Sequence, residues 1–231
     1  MANMGLNVAR DSSSNLNAVV SLNATWIRIV AMPDHDLTDY LRSARARNLK
    51  VLLVLARESF IEPGPRQDMY ALYKQRYVDT GLVHAIQVGN EMDHASPSSW
   101  SMSQKEFESF GKSVRAAFPT TTIVTGGLVS GQPSWLAGVD LSWAQAISLH
   151  PYGKSPSETW PHPGWGTGYI GDFLDSYAVY GKPLLITEVG LSTDEVTEEF
   201  QAAYCQRMVD YFARRTDILG VMWFCISDQM T

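Results

Sequence analysis

Short apolar runs alternate along the chain with longer amphipathic stretches. Eight of these runs have the length and the β-branched content typical of buried strands, and each stops where a loop-like segment begins. The runs lie at about 5–9, 25–30, 50–56, 84–89, 121–126, 144–149, 183–188 and 219–225.

The stretches between the runs carry apolar residues at helical spacing. The clearest signals follow Ser103, a capping residue ahead of an apolar face, and Ser192, where acidic residues precede the face from Phe200 to Phe212. Further helices are predicted after Asp36, over 69–77 and, more briefly, around 14–22. Strands that alternate with helices imply a parallel sheet joined by right-handed crossovers.

Eight such strands predict a compact α/β fold, the (β/α)8 or TIM barrel, formed by residues 1–231 as a single domain. Such barrels typically contain about 250 residues. Because the chain has 231 residues and stops soon after the eighth run, we expect the last helix to be missing or truncated. A doubly wound open sheet is the alternative, but no GxGxxG follows the first run, which weakens its dinucleotide-binding version.

Composition narrows the classes of partner. A hydrophobic fraction of 45% is ordinary for a domain with a substantial core, and the formal net charge of −6 argues against nucleic acid and anionic membranes as partners. No apolar run reaches the roughly 20 residues needed to span a bilayer.

Two glutamates end predicted strands. Glu91 follows the fourth apolar run, and Glu188 ends the seventh. Glycoside hydrolysis needs two carboxyl groups, one to protonate the leaving oxygen and one to attack the sugar carbon or to activate water. The strand ends therefore predict a pair of catalytic carboxylates at one mouth of the barrel.

Side chains alternate along a strand, so parity groups the residues near each end. The groups are Ile86, Val88 and Asn90 against Gln87, Gly89 and Glu91; Leu184, Ile186 and Glu188; Ala146, Ser148 and His150, followed by Tyr152; Trp26 and Arg28; and Val221, Trp223 and Cys225. We expect the mouth to contain Glu91, Glu188, His150, Arg28 and Trp223. An arginine beside one glutamate would favour its charged form, while the other must stay protonated to act as an acid.

These strings together resemble glycoside hydrolase clan A, the 4/7 superfamily of retaining enzymes, and are most similar to its families 5 and 39. The strings are Trp26-Ile27-Arg28-Ile29, Asn90-Glu91, Leu149-His150-Pro151-Tyr152-Gly153, Ile186-Thr187-Glu188-Val189-Gly190 and Val221-Met222-Trp223-Phe224. The resemblance implies that Glu91 is the acid/base, Glu188 the nucleophile and Asn90 the ligand of the sugar 2-hydroxyl. It also implies supporting or substrate-binding positions for Arg28, His150, Tyr152 and Trp223.

Two positions depart from the family pattern. Gly89 stands where many relatives carry a bulky aromatic residue, and Gly190 with Leu191 stands where an aromatic residue is frequent. We expect these changes to widen the cleft or to alter the subsite that holds the reacting sugar. A long loop at 153–168 carries Trp160 and Trp165, and we predict that at least one of the two indoles lines the substrate groove.

The resulting interpretation is a retaining, endo-acting hydrolase of β-linked polysaccharide or oligosaccharide. It needs no cofactor or metal and acts as a monomer, secreted or in the cell envelope. The alternative is a non-catalytic carbohydrate-binding barrel, and a third class is another barrel enzyme such as a lyase or a metal-dependent hydrolase. Asp93 and His94 could suggest a metal site, but an HxH pair is absent from the sequence.

Overall fold

Eight parallel strands form one sheet in the computed structural model, which describes residues 3–8, 13–31, 35–55, 65–94, 101–163 and 167–224. The strands are β1 Asn3–Asn7, β2 Trp26–Ala31, β3 Lys50–Leu55, β4 Ala85–Asn90, β5 Thr122–Gly127, β6 Ile147–Leu149, β7 Leu184–Val189 and β8 Ile218–Trp223. Each lies within a few residues of a predicted apolar run, so the predicted strands are confirmed.

The sheet closes on itself. Its strand order is β5-β4-β3-β2-β1-β8-β7-β6, and β1 pairs in parallel with both β2 and β8. The remaining seam joins β5 to the segment of β6 through bridges at Val124–Ala146 and Leu128–Leu149. Along it, Thr125 N–H donates to the Ala146 carbonyl at 3.1 Å. The fold is therefore the predicted (β/α)8 barrel, and the open doubly wound sheet is wrong.

Six α-helices connect the described strands. They are α1 Ser13–Ser21, α2 Thr38–Ala46, α3 Pro65–Tyr73, α4 Gln104–Ala117, α5 Ile170–Asp175 and α6 Glu198–Ala213. A π-helical turn at Lys74–Val78 extends α3, while β5 is followed by only a short 3₁₀ turn at Pro133–Leu136. The predicted loss of the last helix concerns residues beyond Phe224, which lie outside the described part. None of the helices in the described ranges has the length and apolar character needed to cross a membrane.

Two helix starts show how capping sets the boundaries. Ser103 accepts the N–H of Glu106, whose carboxylate bonds back to the Ser103 N–H, so α4 begins as predicted with a capping box. The α6 helix begins at Glu198 rather than near Ser192, because the Thr197 hydroxyl caps it by accepting the N–H of Phe200.

The barrel separates two apolar layers. A small cluster fills its interior, and the larger cluster lies between the sheet and the surrounding helices. The interior cluster contains Leu52, Ala85, Val124, Ala146, Leu185 and Met222, with Trp26 packed against it. In a barrel of this kind, polar side chains above the interior layers meet at the carboxyl ends of the strands.

Candidate active site

The fourth strand brings Glu91 to the mouth by breaking its alternation. Gly89 has a φ of 76° and Glu91 a φ of 47°, both in the left-handed region. The side chain of Asn90 therefore does not point outward as that of Val88 does. It lies above the barrel interior with Gln87, where it contacts Arg28. The parity that grouped Asn90 with Ile86 and Val88 is wrong, because it assumed an unbroken strand.

The seventh strand also departs from simple alternation, and the eighth alternates with Val221 and Trp223 on the outer side, which is the opposite of the face that parity assigned to them. Leu184 and Ile186 pack in the outer layer, but a register shift between Ile186 and Val189 lets Glu188 face the mouth. In β8 the interior residue is Met222, and the half-buried Trp223 packs against the outer layer. The Trp223 carbonyl accepts Asn7 Nδ2 at 3.2 Å. The predicted contact between Trp223 and substrate stays a prediction.

Arg28 donates hydrogen bonds to four residues at the mouth of the barrel. Its Nη1 donates to Glu188 Oε1 and to Asn7 Oδ1, each at 2.6 Å, and its Nη2 donates to Asn90 Oδ1 at 2.6 Å. Its Nε donates to Gln87 Oε1 at 2.8 Å. The Arg28 side chain is 4% exposed, so the ion pair with Glu188 is shielded from solvent. Because four acceptors fix its plane, Arg28 fixes the position of Glu188 in turn.

Glu188 is held in its charged form. Tyr152 donates its hydroxyl to Glu188 Oε2 at 2.7 Å, opposite the Arg28 contact. Burial by itself would raise the pKa of Glu188, but the His150 ring, the Arg28 charge and the two hydrogen bonds outweigh it, so the pKa lies below its usual value. Burial, with the Glu188 charge next, raises the pKa of the Tyr152 hydroxyl well above its usual value, which keeps it a donor.

Glu91 has a different environment. Its side chain is 25% exposed, against 9% for Glu188, and its Oε1 lies 3.0 Å from His150 Nδ1. The Glu91 N–H donates to the Gly127 carbonyl at 2.8 Å, which holds the left-handed backbone in place. No arginine or lysine of the described chain is paired with Glu91, so the two carboxylates differ in burial and in charge partners.

The two carboxylates lie close together across His150. One ligand-type atom from each of Glu91, His150 and Glu188 can be chosen so that all three lie within 4.8 Å of one another. These groups could also be considered as metal ligands, but Arg28 already occupies Glu188 Oε1 with a positive charge, which opposes a cation there.

Asp93, which the sequence suggested as part of a metal site with His94, forms structural hydrogen bonds in the fold. Asp93 is buried, and its carboxylate accepts the N–H of Val129 and of Ser130 at 3.0 and 2.9 Å, together with the Ser130 hydroxyl. Asp93 therefore joins the loop after β4 to the loop after β5. Its oxygens are engaged in structural hydrogen bonds.

Three site residues were not singled out from the sequence. Asn7 and Gln87 accept from Arg28, and the Thr187 hydroxyl lies 3.0 Å from His150 Nε2. All three are buried polar residues within or at the ends of apolar strands, which is the signal that could have identified them. The His150 and Arg28 predictions are consistent with this network, because parity holds along β6 and β2.

Of the two tryptophans in the long loop, the structure describes Trp160. Trp160 is half-buried against α6, with its ring centroid 5.8 Å from that of Phe200 and 4.0 Å from the guanidinium carbon of Arg207. These contacts place the Trp160 indole against the helix layer. Trp165 lies outside the described residues. The predicted contact of either indole with substrate remains a prediction.

Gly89 and Gly190, the two glycines that depart from the clan A pattern, lie where a side chain would clash with neighbouring atoms. A Cβ at Gly89 would lie 2.4 Å from Met92 Sδ, in addition to the strain of its positive φ. A Cβ at Gly190 would lie 2.1 Å from the Phe224 carbonyl oxygen. The Phe224 ring lies 6.2 Å from the Tyr152 ring, edge to face, and Phe224 is 41% exposed.

Comparison with known proteins identifies the fold. No protein-family model matches the chain, and no curated protein sequence matches it. A family 39 glycoside hydrolase from the gut symbiont Bacteroides cellulosilyticus WH2 matches 96% of this chain with a TM-score of 0.69 at 18% identity, and the match spans 56% of that protein. An endo-β-1,4-glucanase from Xanthomonas axonopodis pv. citri has a TM-score of 0.65 at 12% identity, with 97% of this chain and 88% of that one covered.

A GH5_18 enzyme from Streptomyces cattleya was solved in complex with Manβ1-4GlcNAc. It matches with a TM-score of 0.65 at 13% identity, over 97% of this chain and 71% of its own. At such identities the likeness establishes the architecture. The chain therefore has the barrel fold of glycoside hydrolases of families 5 and 39, as the resemblance of its strand-end motifs predicted.

Proposed function

We propose that this chain is a retaining glycoside hydrolase in which Glu188 is the nucleophile and Glu91 the acid/base. The observation that carries the proposal is the pair of carboxylates in unlike environments, with one oxygen of each no more than 4.8 Å from one oxygen of the other. Retaining enzymes hold their carboxyl groups at about 5–5.5 Å, whereas inverting enzymes leave about 6.5–9.5 Å for a water molecule. The short separation supports double displacement.

The reaction divides between the two glutamates. Glu188, ionised by Arg28 and Tyr152, attacks the anomeric carbon while Glu91 transfers its proton to the departing glycosidic oxygen. The C–O bond to the leaving sugar breaks as the C–O bond to Glu188 forms. In the second step Glu91 removes a proton from water, the water oxygen attacks the same carbon, and Glu188 leaves as a carboxylate.

Arg28 prepares two groups for this chemistry. It neutralises Glu188, and it also binds Asn90 through Oδ1, to which Gln87 Nε2 lies 3.4 Å away. With Oδ1 directed toward these donors, the Asn90 amino group is the part available to donate to a sugar hydroxyl. Such a contact accelerates the reaction when it strengthens in the transition state.

The proposed substrate is a β-linked polysaccharide or oligosaccharide, cleaved in the endo mode. This class is supported by similarity to an endo-β-1,4-glucanase and to an enzyme solved with Manβ1-4GlcNAc. A polymeric substrate favours action outside the cytoplasm, by a secreted or cell-envelope enzyme. We also propose that the enzyme acts as a monomer; every site residue named above belongs to this one chain.

Product analysis with a polysaccharide panel tests this proposal. Wild-type protein and Glu188→Gln would be incubated with β-glucans, mannans, xylans and galactans, and the products separated by chromatography. We expect the wild type to release oligosaccharides from at least one polymer, with β-anomers formed first, and the variant to release none. Binding of a polymer without any turnover by the wild type would replace the proposal with a carbohydrate-binding barrel.

A further inference from the structure

Gly127, the last residue of β5, lies beneath the acid/base candidate. Its carbonyl accepts the N–H of Glu91, and in the strand ladder it is the partner of Asn90. Its own Cα faces the His150 ring. Gly127 therefore touches both the backbone of Glu91 and the side chain that binds the Glu91 carboxyl group.

The His150 ring occupies the space that a side chain at position 127 would fill. A Cβ built on Gly127 would lie 1.9 Å from His150 Nε2 and 2.4 Å from both Cδ2 and Cε1. Contacts this short require one group to move. The φ of Gly127 is not in the left-handed region, so the glycine is needed for space and not for backbone conformation.

The His150 ring cannot move without losing contacts. The His150 side chain is 0% exposed, with Nδ1 3.0 Å from Glu91 Oε1 and Nε2 3.0 Å from Thr187 Oγ1. Thr187 Oγ1 is itself 2.5 Å from the Ser148 hydroxyl. Moving the ring off Gly127 would therefore break at least one of the two contacts that orient it.

We infer that Gly127 is a positioning residue for the acid/base: the missing side chain lets His150 lie where it can bind Glu91. This inference rests on the proposed function and assigns a role to a residue that touches neither substrate nor the reacting atoms. A side chain at this position displaces His150, deprives Glu91 of its partner and impairs the step that needs an acid. Glu188 also lies 3.6 Å from His150 Nε2, but its closer contacts, to Arg28 at 2.6 Å and to Tyr152 at 2.7 Å, do not involve the ring, so we expect nucleophilic attack to be impaired less than the acid step.

The neighbouring glycine supplies a matched control. A Cβ at Gly126 would meet Met92 Cε at 2.2 Å and the Val88 carbonyl at 2.7 Å, on the other face of the strand. Gly126→Ala thus introduces the same methyl group, with a similar steric conflict, one residue away and away from His150. It reports what overpacking of β5 does without displacement of the imidazole.

The first test compares leaving groups. Activated aryl glycosides need little help from an acid, whereas glycosides with poor leaving groups depend on it, and general acid catalysis contributes about 10²–10⁴-fold. For Gly127→Ala we expect kcat/KM on poor-leaving-group substrates to fall at least about ten-fold more than on aryl glycosides. Gly126→Ala should lower both equally. Equal losses in Gly127→Ala would overturn the inference.

The second test is a double-mutant cycle in stability, which needs no substrate. His150→Ala removes the ring, so Gly127→Ala should destabilise the wild type but cost little in the His150→Ala background. The double variant also tests the contact if Gly127→Ala alone does not fold. Equal destabilisation in both backgrounds would show that Gly127 does not act through His150.

The two tests separate the inference from the proposed function. If the wild type hydrolyses no glycoside, the function fails, while the cycle and the ¹⁵N signals of the His150 ring still report whether position 127 controls the imidazole. Ring signals shifted by Gly127→Ala and unshifted by Gly126→Ala would support the positioning role. Unshifted signals in both variants would contradict it.

Discussion

Tyr152→Phe should raise the pKa of Glu188. The substitution removes the hydroxyl that donates to Oε2 at 2.7 Å and keeps the ring and the Arg28 ion pair. A hydrogen bond to a charged group contributes about 1.5–3 kcal/mol, and one pKa unit corresponds to about 1.36 kcal/mol. Loss of this bond therefore raises the pKa of Glu188, by an amount large enough to be measured in a pH profile.

The sign follows from which form the hydroxyl stabilises. Tyr152 binds the carboxylate, so its loss favours the protonated acid, and the acidic limb of the kcat/KM profile moves toward neutral pH. The lowered pKa of Glu188 gives the wild type stability that is present above the pKa of the unfolded chain and is lost as pH falls through the folded pKa. Tyr152→Phe should lose part of that contribution above the unfolded pKa.

The assay is the pH dependence of kcat/KM with an activated aryl glycoside, on which the acid/base has little influence. Tyr77→Phe is the matched control, because the Tyr77 hydroxyl also donates to a carboxylate, that of Asp36 at 3.2 Å. An acidic limb that stays in place in Tyr152→Phe, or moves equally in Tyr77→Phe, would refute the assignment of Tyr152 as the group that keeps Glu188 ionised.

Three further substitutions test the packing and the charge network. Ser103→Ala removes half of the capping box and should lower the free energy of unfolding by about 1 kcal/mol in denaturant titrations, with kcat/KM unchanged. Trp160→Ala should lower it by about 1–3 kcal/mol, less than for a fully buried tryptophan; normal stability with a raised KM for long substrates would instead place the indole in the groove. Arg28→Lys keeps the charge but loses the planar fork, and kcat/KM should fall at least about ten-fold, as expected for one lost charged hydrogen bond. Full activity of that variant would contradict the role of Arg28 in orienting Glu188.

The order of strands and helices was predictable because each element carries its own local signal. Apolar runs mark the strands, and the pattern behind Ser103 marks α4. Parity worked for β2 and β6, where Arg28 and His150 follow Trp26 and Ala146 along unbroken strands. These positions depend only on the two-residue repeat of an extended chain.

The other site residues owe their positions to departures from regular strand geometry, which a two-residue repeat cannot predict. Asn90 reaches Arg28 because Gly89 adopts a positive φ, and Glu188 reaches the mouth through a shifted register beside β8. Gly127 has a role only because another strand places His150 over it. Such contacts between strands follow from the closed barrel, so the sequence predicted the two glutamates with Arg28, His150 and Tyr152, but not the residues that complete their surroundings, namely Asn7, Gln87, Gly127 and Thr187.

The most direct test of the central claim is the anomeric configuration of glycosyl azides formed by two variants. Glu188→Ala and Glu91→Ala would each be incubated with sodium azide and an activated β-glycoside of the sugar found in the polysaccharide panel, and the products examined by ¹H NMR. The double-displacement assignment predicts the α-azide from Glu188→Ala, by direct attack in the vacated position, and the β-azide from Glu91→Ala, by attack on the glycosyl-enzyme. The opposite pairing, or the same anomer from both variants, would contradict the assignment of nucleophile and acid/base.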